Sequence, residues 1–297
     1  MRSKPMISVI RICSFIGLLL LASACKAPGL KIGNLDVGGL VNQGIALWDV
    51  SSIDEAQEIQ FGQNMSAVLL GTRQLHPNVE INQYVNKVGL WLASLSSRPN
   101  LNWRFGVINS DAINAFAAPG GFVFVTSGML MQLDNEAQLA AVLAHEIIHV
   151  TEQHHLNAIK SGTMRTAITE TLFISAEAYQ GNTNADQKDR EYTAWARTVS
   201  GAAQELYSKG LDRDDELLAD SGGIALLAKA GYDPMEFYSA LQLLESIAPD
   251  DTSLALLYKT HPTPTERITH LAEQLGEFSS LQGRMLAQRY QRTIFAQ

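Results

Sequence analysis

The chain has 297 residues, 46% of them hydrophobic and 18% charged, with a formal net charge of −8. That is ample apolar material for one large core, which excludes a wholly disordered chain. Lys and Arg are nowhere clustered, so a nucleic-acid partner, which needs a basic face to neutralise phosphates, is excluded too.

Arg2, Lys4 and Arg11 are the only charges before Lys26, and the apolar run Ile12 to Leu21 leads into Ala22-Ser23-Ala24-Cys25. A positive start, a short apolar stretch and small residues before a cleavage point describe a signal peptide over residues 1–24. A bilayer span needs about 20 apolar residues, roughly twice this run. Ala22-Ser23-Ala24 suits ordinary cleavage. Leu-Ala-Ser-Ala-Cys also resembles a bacterial lipoprotein box, although Leu21 stands four places before the cysteine instead of three. Cys13 and Cys25 are the only cysteines. An exported chain without a possible disulfide, whose one remaining cysteine sits at the cleavage point, is best explained by lipidation of Cys25. Lys26, where an inner-membrane retention signal would place Asp, points by the same resemblance to the outer membrane. The expectation is a periplasm-facing lipoprotein held to the membrane by its N-terminal lipid.

Residues 25–50 carry Gly29, Gly33, Gly38, Gly39 and Gly44 with little periodicity and read as a lipid-anchored flexible tether, leaving 51–297 as one domain. Ser52 and Glu55 form a capping box opening a helix to about Leu70, and a second helix covers roughly Val79 to Ser94. Leu101 to Asn109 alternates around Trp103, Phe105 and Val107. Ala115 to Ala117 and Phe122 to Thr126 flank Pro119-Gly120-Gly121, a type II turn signature. Asp134 or Asn135 caps a long helix through about Lys160. Helix is expected again over 161–179 and from about Glu191 to Tyr207, around a polar loop at 181–188. Another runs from Arg213 to Ala230, stopped by Gly231 and Pro234. Thr263 and Glu266 form a further capping box, with a helix starting at Pro264. The fold class is α+β: mainly helical, with a small mixed β-sheet and a hairpin.

His145-Glu146-Ile147-Ile148-His149 falls in the middle of the long helix, where Leu139, Val142 and Leu143 mark an apolar stripe. Residues four apart share a helix face, so both imidazoles can reach one ion. Glu146, turned about 100° from His145, flanks the ion without binding it and is placed to act as general base. A catalytic zinc needs a third protein ligand. His155 stands ten residues after His145, but using it requires the helix to break, and Glu152 sits where a breaking glycine would be. His154 and His155 are therefore expected as solvated surface residues. Glu216, in Asp215-Glu216-Leu217-Leu218-Ala219-Asp220, is the better candidate, with Asp220 one turn on to hydrogen-bond the far nitrogen of a ligating histidine. Asp212, Asp214 and Asp215 read as a solvated acidic face.

His145 to His149, then Glu216 to Asp220, then His261-Pro262 and Arg267, preceded by Asn114 to Gly121, resemble the gluzincin metallopeptidase family (family forty-eight) of HtpX, the CAAX prenyl protease and bacterial periplasmic lipoprotein proteases. Ile148 departs from the small residue that many members carry. The resemblance spans about Ser52 to Leu275 and implies a zincin-like fold, one Zn2+ per chain and metalloendopeptidase activity. It further implies that the strand Phe122 to Thr126 or its partner pairs with an extended substrate. His261 and Asn114 would assist the oxyanion, with fourth-ligand gating open as another role for His261. Arg267 would pair with Asp220 or with a substrate carboxylate. Misfolded or stalled envelope polypeptides are the expected substrates, in protein quality control beside the outer-membrane assembly machinery. The alternative is a non-catalytic or latent chaperone for outer-membrane proteins with a structural zinc, against which the lack of further cysteines weighs.

Overall fold

The computed structural model describes residues 31–32, 35–36, 53–160, 210–248, 251–272, 274–278 and 280–295. The expected signal peptide with Cys25, Ser52, and the elements read over 161–207 lie outside them. The chain divides into two units, Met1–Asp49 and Val50–Gln297, and each is taken by itself. In the first, β1 (Lys31–Ile32) pairs antiparallel with β2 (Leu35–Asp36), Lys31 facing Asp36. No helix among the described residues is long and apolar enough to cross a membrane.

The second unit opens with α1 (Glu55–Thr72), whose capping box is Asp54 with Gln57 instead of Ser52 with Glu55: the Asp54 carboxylate accepts from Gln57 N at 2.8 Å, and Gln57 Oε1 accepts from Asp54 N at 2.9 Å. Starting there leaves Glu55 and Glu58 in the first turn, where both reach Arg98. α2 (Val79–Ala93), capped by Asn78, buries Ile81, Val85, Val88 and Leu92, the spacing of one helical face. β3 (Arg104–Ile108), β4 (Ala115–Ala118) and β5 (Phe122–Thr126) form a mixed sheet in the order β3-β5-β4, β3 parallel and β4 antiparallel to β5. Gly120, with φ +74°, supplies the positive φ that the turn between β4 and β5 requires. Asn82 and Asn86 of α2 accept from Val107 N and Phe105 N, so the outer edge of β3 is sealed by side chains.

Thr126 caps α3 (Ser127–Gln132), and Asn135 caps α4 (Glu136–Thr151). The long helix does not continue to Lys160 as expected. It stops at Thr151, Gln153 takes φ +57°, and α5 (His154–Lys160) departs from there. Then follow α6 (Arg213–Lys229), α7 (Met235–Ser246), the short α8 (Leu257–Thr260), α9 (Pro264–Ala272) with the expected Thr263–Glu266 box, α10 (Leu275–Phe278) and α11 (Ala287–Ile294). α2, α6, α7 and the sheet surround α4. Leu139, Leu143 and Ile147 are fully buried, as are Ala137, Ala140 and Ala144. The small residues let neighbours close on the helix from several sides.

Two buried carboxylates fix this arrangement. Glu136, at the start of α4, accepts from Tyr84 and Tyr232 and is gripped by Arg289 of α11. Glu58 takes both prongs of Arg98 at 2.9 Å, Gly120 N at 3.0 Å and Gln153 Nε2 at 3.1 Å. It thereby ties α1, the hairpin turn and the break after α4 together. Glu58→Gln puts an amide among donors and strips Arg98 of its buried partner, which should cost roughly 3 kcal/mol. A lower urea midpoint with an unchanged slope is the expected result; an unshifted midpoint would show that the cluster carries little stability.

Candidate metal centre

α4 presents His145 and His149 on one face, with their Nε2 atoms 3.0 Å apart. α6 crosses this face closely because Gly222 and Gly223 carry no side chain. A Cβ on Gly223 would lie 2.7 Å from the Phe237 ring and 3.3 Å from the His145 backbone nitrogen, and one on Gly222 would press on Ile148 at 3.0 Å. The bulky Ile148 is thus accommodated by a glycine on the facing helix. The close approach brings Glu216, in the first turn of α6, to 3.6 Å from His145 Nε2 and 3.5 Å from His149 Nε2. Ligands about 2.0–2.1 Å from a tetrahedral ion are about 3.3 Å from one another, so the three residues are spaced for such an ion. Glu216 Oε1 is buried without a hydrogen-bond partner, as expected of an oxygen meant for a cation. His261, just after α8, adds a fourth atom: its Nδ1 is 2.7 Å from Glu216 Oε2. One atom from each of His145, His149, Glu216 and His261 fits within 4.8 Å, a group that could hold a metal ion.

Electrostatics agree with that role. Burial opposes ionisation of Glu216, but the surrounding imidazoles, His261 foremost, overcome it and hold the carboxyl well below its usual range. Burial also keeps His149 neutral, so its ring offers a lone pair. At His145, burial and the Arg267 charge push down, while the hydrogen bond to Asp220 and the nearby Glu216 carboxylate outweigh them and raise the imidazole to about 9. An ion bound there would displace that proton.

Asp220 sits one turn beyond Glu216, with Oδ1 2.9 Å from His145 Nδ1. Arg267 of α9 donates from Nε to Asp220 Oδ2 at 3.0 Å. This pairing is one of the two expected for Arg267. Burial opposes the Asp220 charge, and Arg267 overcomes it, keeping the carboxyl below the usual range. Glu146 stands outside the four-atom group and lines both adjoining cavities; burial pushes its carboxyl up, with His145 and His261 partly offsetting.

His154 and His155 are not solvated: both are buried, because the chain turns at Gln153 and packs α5 back beneath α4. His155 is still outside the four-atom group, though the reason is its placement and not a continuing helix. Asn114 is fully buried, its Oδ1 accepting from Ala115 N, and its neighbour Ala115, not Asn114 itself, lines the two cavities. β5 lies between two strands and has no free edge; of the strands expected to meet substrate, the edge strand β4 is the one beside the ligands, and its Ala115 lines both cavities. The larger cavity has an apolar wall from Val142 of α4 and from Phe237, Ala240, Leu241 and Leu244 of α7, a helix absent from the sequence reading. The spacing of Phe237, Leu241 and Leu244 after Pro234 was the signal that would have revealed it.

Because Glu216 rides on the tightly seated α6, Gly223→Val should destabilise the fold by roughly 1–3 kcal/mol through overpacking. It should also weaken metal affinity, which titration against a competing chelator measures. Unaltered affinity would mean the seam between α4 and α6 does not set the ligand spacing.

A family model described as Peptidase family M48 matches residues 80–275, a span containing all four grouped residues together with Glu146, Asp220 and Arg267. The chain is 31% identical over 224 residues to a beta-barrel assembly-enhancing protease of Escherichia coli (strain K12), covering 73% of this chain and 44% of that protein. It is 28% identical over 212 residues to the mitochondrial metalloendopeptidase OMA1 of Schizosaccharomyces pombe, covering 70% and 57%. The match to the metalloprotease YcaL of Escherichia coli (strain K12) is 24% over 267 residues, covering 87% and 97%. The chain thus spans less than half the length of the assembly-enhancing protease, but nearly all of YcaL. With the matched span running through the whole metal-binding group, the chain belongs to peptidase family M48, a family of metalloproteases.

Proposed function

We propose that the protein is a zinc-dependent endopeptidase of the bacterial envelope that cleaves unfolded or misassembled polypeptides. The observation that carries this reading is the triangle of His145, His149 and Glu216, whose spacing suits a small tetrahedral ion. Two imidazoles and one carboxylate favour zinc among such ions, with His145, His149 and Glu216 as ligands. When bound, zinc supplies Lewis acidity toward a carbonyl and toward water. Glu146 accepts a proton and later delivers it to the leaving amine, a task suited to a carboxyl raised by burial. Asp220, held by Arg267, fixes the tautomer of His145 so that Nε2 faces the ion. His261 has two roles open to it. Its place in the four-atom group supports a fourth ligand that a substrate carbonyl displaces; moved aside, the same ring would donate to the oxyanion.

An extended polypeptide laid along β4 would be held by main-chain hydrogen bonds, which accept many sequences. That breadth, and the name of the beta-barrel assembly-enhancing relative, support quality control beside outer-membrane assembly as the setting. Glu146→Gln should retain metal and lose cleavage of casein by a factor of about 100 or more. Undiminished cleavage would remove Glu146 from the mechanism, and wild-type protein that binds metal but cleaves nothing would favour the chaperone alternative.

The N-terminal sequence supports anchoring through Cys25 after removal of residues 1–24, with 25–50 as the tether. Cys25→Ser should move the protein from the membrane pellet to the soluble fraction. Retention in the pellet would argue for an uncleaved N-terminal anchor.

A further inference from the structure

We infer that His154, backed by Asp215, is a positioning residue for the metal ligand His149, and that the break after α4 exists to deliver it. The inference rests on His149 binding metal through Nε2. Its Nε2 faces His145 and Glu216, while on the opposite side of the ring its Nδ1 lies 2.9 Å from His154 Nδ1. Two ring nitrogens at that distance need one proton between them. When Nε2 gives its lone pair to an ion, the neutral ring carries its proton on Nδ1, so His149 donates and His154 Nδ1 accepts. The His154 proton is then fixed on Nε2, which faces Asp215 Oδ1 at 3.7 Å. That distance is an electrostatic contact and not a hydrogen bond, but a carboxylate there favours the N–H side of the ring. His154 is almost completely buried, so water does not replace the pairing.

The two ligating imidazoles are therefore supported differently. His145 donates directly to the Asp220 carboxylate, and His149 donates to a neutral histidine with a carboxylate behind it. The second arrangement depends on the backbone. In an unbroken helix a residue five positions on points about 140° away and lies about 7.5 Å further along the axis, so it cannot meet the His149 ring. Gln153 instead adopts φ +57°, unusual for a residue with a Cβ and costing roughly 1–2 kcal/mol. Its side chain donates to the buried Glu58, which holds the break in place.

The test is cobalt binding by the full chain, measured against a chelator and by visible absorption of the cobalt-loaded protein, with unfolding of the metal-free protein as control. His154→Phe keeps the ring volume and removes the acceptor; it should weaken affinity by about 10–100-fold and shift the absorption bands, with metal-free unfolding unchanged. His154→Asn, whose Oδ1 takes the place of Nδ1, should recover most of the loss. Asp215→Asn should weaken affinity several-fold. Equal behaviour of the Phe and Asn variants, whether both intact or both impaired, overturns the inference. Should His154→Phe fail to fold, Asp215→Asn decides: affinity equal to wild type overturns the inference, and a several-fold loss with unchanged metal-free unfolding upholds it. His149→Ala separates the two layers. If it abolishes binding while His154→Phe does not alter it, only the relay is wrong; if wild-type protein binds no cobalt, the metal-centre reading fails and the relay with it.

Discussion

Two carboxylates buried in the seam between α4 and α6 set the terms for everything around them. Glu216 and Asp220 are both fully enclosed, and an enclosed charge is tolerated only where opposite charge or hydrogen-bond donors surround it. Asp220 finds His145 and Arg267 within the fold. Glu216 finds only imidazoles, and its Oε1 has no hydrogen-bond partner. The difference divides the pair: one carboxylate is completed within the fold, and the other belongs to a group that could hold an ion. The glycines of α6 make this possible by letting backbones approach where larger side chains would hold them apart.

Much of the site was legible because its residues sit at helical spacing. Four-residue separation placed His145 over His149 and Glu216 before Asp220, and the structure keeps both pairs on facing helices. The match of Arg267 to Asp220 depended on family likeness, since no local pattern joins residues that far apart. The break at Gln153 was illegible because nothing in Glu152-Gln153 favours it. The glutamine that enters the left-handed region donates its side chain to Glu58, far off in sequence, a tie that no local pattern announces. Both wrong expectations about His154 and His155 follow from that one missed turn. The first cap slipped by two residues for a smaller reason: Ser52 to Glu55 and Asp54 to Gln57 have the same spacing, so the pattern alone could not choose between them.

The sheet shows how side chains assign roles to edges. All three strands are nearly buried, so periodicity could not tell which lay in the middle. Asn82 and Asn86 occupy donors of β3, β5 is enclosed on both sides, and among the described residues β4 is the outer strand, beside the grouped histidines. An edge strand is normally a liability for aggregation. Here β4 is buried along its length, and its Ala115 borders the cavity that Glu146 lines.

The grip of Arg289 on Glu136 has a consequence for how the molecule is made. The carboxylate at the first turn of the ligand-bearing helix receives its strongest partner from a side chain 153 positions later. Contacts that close so long a loop form late in folding. On a ribosome, α4 would emerge and pack well before α11 left the exit tunnel, with Glu136 meanwhile leaning on Tyr84 alone and then also on Tyr232. The scaffold around the grouped side chains therefore tightens only after α11 has been made, so the helix that carries His145 and His149 spends the earlier stretch of synthesis without that clamp.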